Sequence, residues 1–445
     1  MSVRKLIRAS LVLFVLASAI TALTPQSARA QDNKLTIWTK FNADNPQVAS
    51  DRWLKKVITD YQTDKGVTLE NTFVAYNEIN TKLNVAVTAG GVVPDVSYVD
   101  SASVGFYSNN GTLVDLTDFV KNASWYGDLD PVALASCTAP DGKILCVPTT
   151  TTNYFTYYWK DIYPDGFPAT TDDLLKIAPS IKEKGKYAYT FKGAENVSVE
   201  RFYGALILSY GGTLVDADGK AAWANDGAVK AVEWAREVIQ KEYAPKVALA
   251  PAFDNEEPFK QGEAGGFLAG TFSYVYLTPL VAPTGERFEE APPAEGFDKN
   301  AIAVGAAHDA GKLDFAPMLS APGGKPVSFI FASAYGIPEG SAHVEEAKAF
   351  IDWQMQTAKN VEFAIAYGAL PTLKSASADE AFSAPYWQAV LKYQQSSGVA
   401  APAWVNYDQA IGLLSTAIVN CVTDPTKDIL AELQAAQDEY NNALN

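Results

Sequence analysis

From residue 34 onward, hydrophobic and polar positions along this chain alternate between a period of two and a helical period. Lys34 to Thr39 (KLTIWT) reads as a strand, and Asp51 to Tyr61 brings Trp53, Leu54, Val57, Ile58 and Tyr61 onto one helical face. Val67 to Val74 is a second strand, Asn77 to Ala89 a helix ended by Gly90-Gly91, and Asp95 to Val99 a third strand running into a helix that stops near Gly111. Repeated strand-helix-strand units predict α/β architecture with mostly parallel sheets covered by helices on both faces. Ligands of such sheets bind beyond the carboxyl ends of the strands, which here are Lys40 to Asn42, Tyr76 to Glu78 and Asp100 to Ser103.

The order changes between Cys137 and Pro164. Asp141-Gly142 lies midway between Cys137 and Cys146, and both residues tolerate positive φ, so a tight hairpin turn is expected with the two cysteines facing each other. Thr149 to Thr152 favour extended backbone and are expected as a connector between two lobes. In the strand that follows, Tyr154, Thr156 and Tyr158 share one face, with Phe155, Tyr157 and Trp159 on the other. An aromatic strand at a crossover is a candidate cleft wall, although any single ring of this kind more often serves as core.

Beyond the crossover, helices are predicted at Thr171 to Lys184, capped by Thr170 or Thr171, at Ser198 to Tyr210 before Gly211-Gly212, and at Asp226 to Tyr243. Asp216 to Lys220 (DADGK) resembles a fragment of a calcium loop but lacks the later ligands, so it reads as a turn. Glu286 to Asn300 reads as a surface loop. Strands are expected at Asp314 to Leu319 and Val327 to Ile337, then helices at His343 to Gln356, Ala384 to Gln395, Asp408 to Cys421 and Pro425 to Ala443, the last with Pro in its first turn.

At 445 residues the chain is too long for one core, so two or three domains or lobes are expected. Its start adds the compartment. Arg4, Lys5 and Arg8 form a basic segment, Leu11 to Leu23 an apolar one, and Ala28-Arg29-Ala30 a small-residue cleavage site, so residues 1–30 read as a secretory signal peptide. A transmembrane anchor is the alternative, against which the apolar run is short. Removing four cationic residues and no acid takes the formal net charge from −16 to −20. A surface that acidic disfavours nucleic acid and anionic membrane as partners. Three cysteines in an exported chain allow one internal bridge, for which Cys137 and Cys146 are the better pair, leaving Cys421 as a buried thiol on a helical pattern.

His308 and His343 are the only histidines, which leaves little for His-based catalysis or a His-ligated metal. The chain has no G-x-S-x-G, H-E-x-x-H, P-loop or dinucleotide fingerprint, and no cofactor or metal is implied. Carboxylates are numerous enough that a glycoside-hydrolysing pair stays open on the residues alone. Aromatic and planar polar side chains gather instead at strand ends and helix starts: Phe41-Asn42, Tyr76-Asn77-Glu78, Arg201-Phe202-Tyr203, Thr271-Phe272-Ser273-Tyr274 and Ala403 to Tyr407 around Trp404. Sugars need that mixture, with ring faces on aromatic rings and hydroxyls on carboxylate, amide or guanidinium edges.

Five stretches together resemble the extracellular solute-binding proteins of carbohydrate ABC transporters, the maltose-binding-protein-like family. They are KLTIWT at the first strand, PDVSYVDSASVGFYSNNGTLVDLTDFV at Pro94 to Val120, DGKILCVPTTTTNYFTYYWKDIYP followed by FPATTDDLLKIA, FKQGEAGGFLAGTF at Phe259 to Phe272, and AKAFIDWQMQ with YGALPTLKS at Ala347 to Ser375. The resemblance implies two α/β lobes, residues 31–148 with 322–366 and residues 149–321 with 367–445, joined by crossovers near Pro148 to Thr152, Ser320 to Gly324 and Tyr367 to Pro371. It further implies a binding protein without enzymatic activity, located in the periplasm or on the outer face of the envelope. Such a protein acts as a monomer, captures a carbohydrate between the lobes and delivers it to permease subunits. The contacts it implies are Lys40, Phe41, Asn42, Asp100 and Ser101 from the first lobe and Arg201, Phe202, Thr271 and Phe272 from the second, with Phe272 where the family usually has Trp. Strand ends and aromatic positions add Tyr76, Glu78 and Tyr335 to the first set and Tyr154 and Trp404 to the second. A secreted carbohydrate-active enzyme and a binding protein for a non-sugar solute are the alternatives.

Overall fold

The computed structural model describes residues 33–194, 199–216, 220–250, 253–289, 302–402 and 404–444. The expected signal peptide, the tip of the DADGK turn, most of the Glu286 to Asn300 loop and Ala403 lie outside them. Among the described residues no helix is long and apolar enough to cross a membrane.

Strands in chain order are β1 (Lys34–Thr39), β2 (Thr68–Phe73), β3 (Val96–Asp100), β4 (Val147–Thr152), β5 (Tyr154–Trp159), β6 (Tyr187–Thr190), β7 (Ala264–Gly270), β8 (Leu280–Val281), β9 (Arg287–Phe288), β10 (Leu313–Ala316), β11 (Ser328–Gly336), β12 (Leu370–Pro371) and β13 (Gly398–Ala400). They form one sheet in the order β12-β4-β11-β3-β1-β2, with β13 also on β11, a second in the order β10-β5-β7-β6, and the small pair β8-β9. Both large sheets are mixed, where the strand-helix pattern predicted mostly parallel ones. Parallel pairing holds within β2-β1-β3, β6-β7 and β11-β13. The strands on either side of the passages between the sheets pair antiparallel, β3 and β4 with β11, and β7 and β10 with β5.

The α/β pattern read from the sequence holds in the first sheet. The helix Ala49–Lys65 buries Trp53, Leu54, Val57 and Tyr61 and ends at Gly66, which takes φ 67°. Ring packing extends this face: Trp53 lies parallel to Phe363 at 4.0 Å, and Tyr61 meets Phe350 and Trp353 edge-on. Thr170 caps the helix Thr171–Glu183 by accepting from the Asp173 amide. The last helix begins later than expected, at Ile429, because Asp428 caps it by accepting from the Ala431 amide.

The threonine run is a strand and not a free connector. β4 pairs with β11 on one edge and β12 on the other, and all six of its residues are buried. Thr149 Oγ1 donates to the Ser333 carbonyl at 2.8 Å, so a hydroxyl that burial would otherwise penalise binds the neighbouring strand. The chain changes sheets across the single residue Asn153, and the first residue beyond it is pinned by Tyr154 N donating to Ser328 Oγ at 2.7 Å. The cysteine hairpin forms as expected. Cys137 and Cys146 are bonded, Leu145 N donates to the Cys137 carbonyl, Ala139 N donates to the Lys143 carbonyl, and Gly142 takes φ 87° at the turn. Cys421 is a buried free thiol.

Candidate functional site

The carboxyl ends of β1 and β3 and the amino end of β5 converge on one polar cluster. β1 delivers Lys40, β3 delivers Asp100, and β5 opens with Tyr154. Asp100 Oδ1 accepts from the Ala102 amide at 3.0 Å, capping the short turn Ser101–Ser103 and fixing the carboxylate's direction. Arg201 arrives from the second sheet's side on a π-helical turn, Glu200–Gly204, a geometry that recurs at functional sites because it re-aims one side chain.

Arg201 ties the two sides together. Its Nη2 donates to Asp100 Oδ2 at 3.0 Å and to the Tyr76 hydroxyl at 3.1 Å, its Nη1 donates to the Tyr154 hydroxyl at 2.9 Å, and its guanidinium carbon lies 4.1 Å from the centre of the Phe331 ring. The Tyr76 hydroxyl in turn donates to Asp100. Lys40 Nζ donates to the Tyr367 hydroxyl and sits 4.5 Å from the ring centres of Tyr98 and Tyr367 and 4.8 Å from that of Tyr76. Tyr367 also faces Phe272, the two rings nearly parallel with centres 6.3 Å apart, and Tyr154 meets Phe272 edge-on. A Cβ on Gly270 would fall 2.3 Å from the Phe272 ring, so a glycine there is what lets the ring lie over the end of β7.

Burial sets the protonation of these groups. It lowers the Lys40 ammonium to about 7, an effect the Asp100 carboxylate opposes and Arg201 reinforces. Burial also raises the Asp100 carboxyl, but Arg201, the Tyr76 and Ala102 hydrogen bonds and Lys40 outweigh it and hold the group below its ordinary value. Tyr76 is raised well above the ordinary phenol by burial, so it stays a neutral donor.

Lys40, Tyr76, Asp100, Tyr154, Arg201 and Phe272 are therefore brought together as the sequence led us to expect. The other expected contacts are placed elsewhere. Phe41 is buried among Trp53, Tyr98, Phe363 and Tyr367 as core beneath the site. The Asn42 side chain accepts from the Asn45 amide and shapes its own turn, while exposed Glu78 pairs with Lys82 one helical turn on. Ser101 Oγ accepts from the Ala332 amide and joins turn to sheet. Phe202 stacks on Phe191 at 4.4 Å inside the second core, and Tyr335 packs against Phe350 inside the first. Thr271 is buried and its amide donates to the Asn153 carbonyl. Trp404 has no exposed surface. Its Nε1 donates to Glu200 at 2.7 Å between Trp223 and Tyr440, so it is core and not a platform. Tyr98, Phe331 and Tyr367 join the cluster without having been singled out. Tyr98 follows from the alternation of β3, whereas Tyr367 sits on an apolar helix whose pattern signals only burial.

Structures with the same fold are numerous. The GacH receptor of Streptomyces glaucescens, solved unliganded and with acarbose, superposes with a TM-score of 0.75 at 18% identity, covering 92% of this chain and 98% of that one. Maltose-bound MalE3 of T. maritima gives 0.76 at 20% identity, with coverages of 92% and 99%. An ABC transporter solute-binding protein of Agrobacterium radiobacter in complex with ribitol gives 0.75 at 21%, with coverages of 92% and 98%. No curated protein matches the chain. At these identities the likeness fixes the two-lobed fold, while residues 56–391 match the model of a family described as bacterial extracellular solute-binding protein, and the chain belongs to that family.

Proposed function

We propose that this chain is the extracytoplasmic substrate-binding component of an ABC importer, capturing a carbohydrate between its lobes and presenting it to the membrane permease. The observation that carries the reading is the polar cluster assembled across the two sheets, in which Arg201 from one side holds Asp100 and Tyr76 of the other. Sugar hydroxyls exchange readily for such contacts, since carboxylate, guanidinium and phenol edges supply paired donors and acceptors, and Phe272 and Tyr367 offer ring faces beside them. Acarbose, maltose and ribitol in the neighbouring structures support a polyhydroxylated ligand.

In this reading the bounds expected at 148/149 and 366/367 shift to Asn153 and past Pro371, because β4 and β12 pair in the first sheet: the first lobe comprises the chain up to β4 with β11 and β12, and the second comprises β5 to β10 with the last helices. Asn153, residues 317–327 and the segment after β12 form the hinge. Closure rotates the lobes about these three passages, and the ligand selects the closed form. The protein works as a monomer after export and loss of residues 1–30, and performs no hydrolysis. A thermal-shift screen of the mature protein across mono- and oligosaccharides, followed by small-angle scattering with the best ligand, tests the proposal. Stabilisation without release of reducing ends and a fall in radius of gyration are expected. Release of product, or saturation with an unchanged radius, overturns it.

A further inference from the structure

The charges of the interlobe cluster do not balance. Lys40 and Arg201 contribute two cations and Asp100 one carboxylate, while Glu200, the acid next along the chain, turns away to Trp404 and Tyr407. Among the described residues Lys40 Nζ has one hydrogen-bond acceptor, the neutral Tyr367 hydroxyl, and its other near neighbours are the rings of Tyr76, Tyr98 and Tyr367. Rings attract an ammonium but supply neither a counter-charge nor an acceptor for its remaining protons. Arg201, 6% exposed, uses Nη1 on Tyr154 and Nη2 on Asp100 and Tyr76, leaving Nε buried without an acceptor. Two cations with donors to spare are costly to bury, and one anionic group would relieve both.

We infer that the ligand is an acidic saccharide, its carboxylate or sulfate engaged by Lys40 and Arg201 while its ring hydroxyls take Asp100 and Tyr76. The inference rests on the carbohydrate reading above and narrows it. The chain's formal net charge of −16 repels anions at long range, so an acidic ligand would owe its binding to this cationic pair. The Asp100 carboxylate only partly offsets the burial that lowers the Lys40 ammonium to about 7, and a bound carboxylate or sulfate would raise it again.

Calorimetric titration of the mature protein with matched saccharides tests this. The probes are trigalacturonate against galactotriose, a glucuronate-bearing disaccharide against its glucose counterpart, and a sulfated galactose disaccharide against the unsulfated one. At least one acidic member should bind tenfold or more tightly than its neutral partner, weaken as salt is raised, and lose most of that preference in Lys40→Gln. The pair that shows the preference identifies carboxylate or sulfate as the group recognised. Neutral members binding as tightly as acidic ones overturn the inference and leave the carbohydrate reading standing. Binding by none of the saccharides overturns both. Should Lys40→Gln fail to fold, the preference and salt dependence of the unaltered protein still decide the matter.

Discussion

Two buried carboxylates lie close to Arg201, and they fare oppositely. Asp100 accepts from Tyr76, from a backbone amide and from the guanidinium itself, and stays below its ordinary value. Glu200 also accepts from two aromatic side chains, Trp404 Nε1 and the Tyr407 hydroxyl, yet burial raises it to about 7 against those bonds and against Arg201. Neutral aromatic donors do not offset the loss of water around a carboxylate, whereas a guanidinium in direct contact does. The first carboxylate is consequently a charged group that meets Arg201, and the second is a buried group packed against Trp404 and Tyr407.

The largest effect should come from Arg201→Ala, which strands Asp100 as an unpaired charge. A loss of about 3 kcal/mol or more in urea unfolding is expected, and a loss below 1 kcal/mol would show that the two sides are not clasped through this pair. Glu200→Gln sharpens the contrast through pH. With a folded value raised from 4.5 to about 7, Glu200 stabilises the protein below pH 4.5, and that stability is lost as pH rises through 7. Relative to the variant, wild type should decline by on the order of 3 kcal/mol across this window; parallel stability curves would place the carboxylate in water. Trp404→Phe, which removes the Nε1 donor from Glu200, should cost about 2 kcal/mol while saccharide affinity stays within twofold. A tenfold loss of affinity with unchanged stability would return Trp404 to the binding surface. Smallest of all, Glu78→Ala should change stability by about 0.3 kcal/mol and leave affinity unaltered in calorimetry.

The same contrast explains what could be read from the sequence. Strand ends and turn chemistry placed Lys40, Asp100 and Tyr154, because alternation and a capping Asp are local signals. Trp404 failed as a platform because an aromatic beside Pro and polar residues looks the same whether its partner is a ligand or a buried Glu distant in sequence. β7 gave no strand signal of its own: AGGFLAG has no alternation, and Gly265 and Gly266 are there because Tyr163, Ile162 and Phe167 occupy the space a Cβ would fill. In the helix Thr357–Tyr367 that supplies Tyr367, the polar residues Thr357, Lys359, Asn360 and Glu362 fall in the first half, so the apolar stretch leading to Tyr367 signals only burial and does not mark the cleft. The threonine run was legible as extended but not as paired, because pairing depends on β11, far along the chain.

Asn153 has a practical corollary for anyone watching this protein move. Because β4 and β5 are held in different sheets with one residue between them, the Cα atoms of Thr152 and Tyr154 stay within about 7 Å, two peptide units, of one another however the sheets are arranged. A pair of spectroscopic probes placed there would read a constant separation and serve as an internal ruler. If the lobes rotate as proposed, probes on exposed positions such as Val92, before β3, and Leu430, in the last helix, would report the rotation as a change in distance.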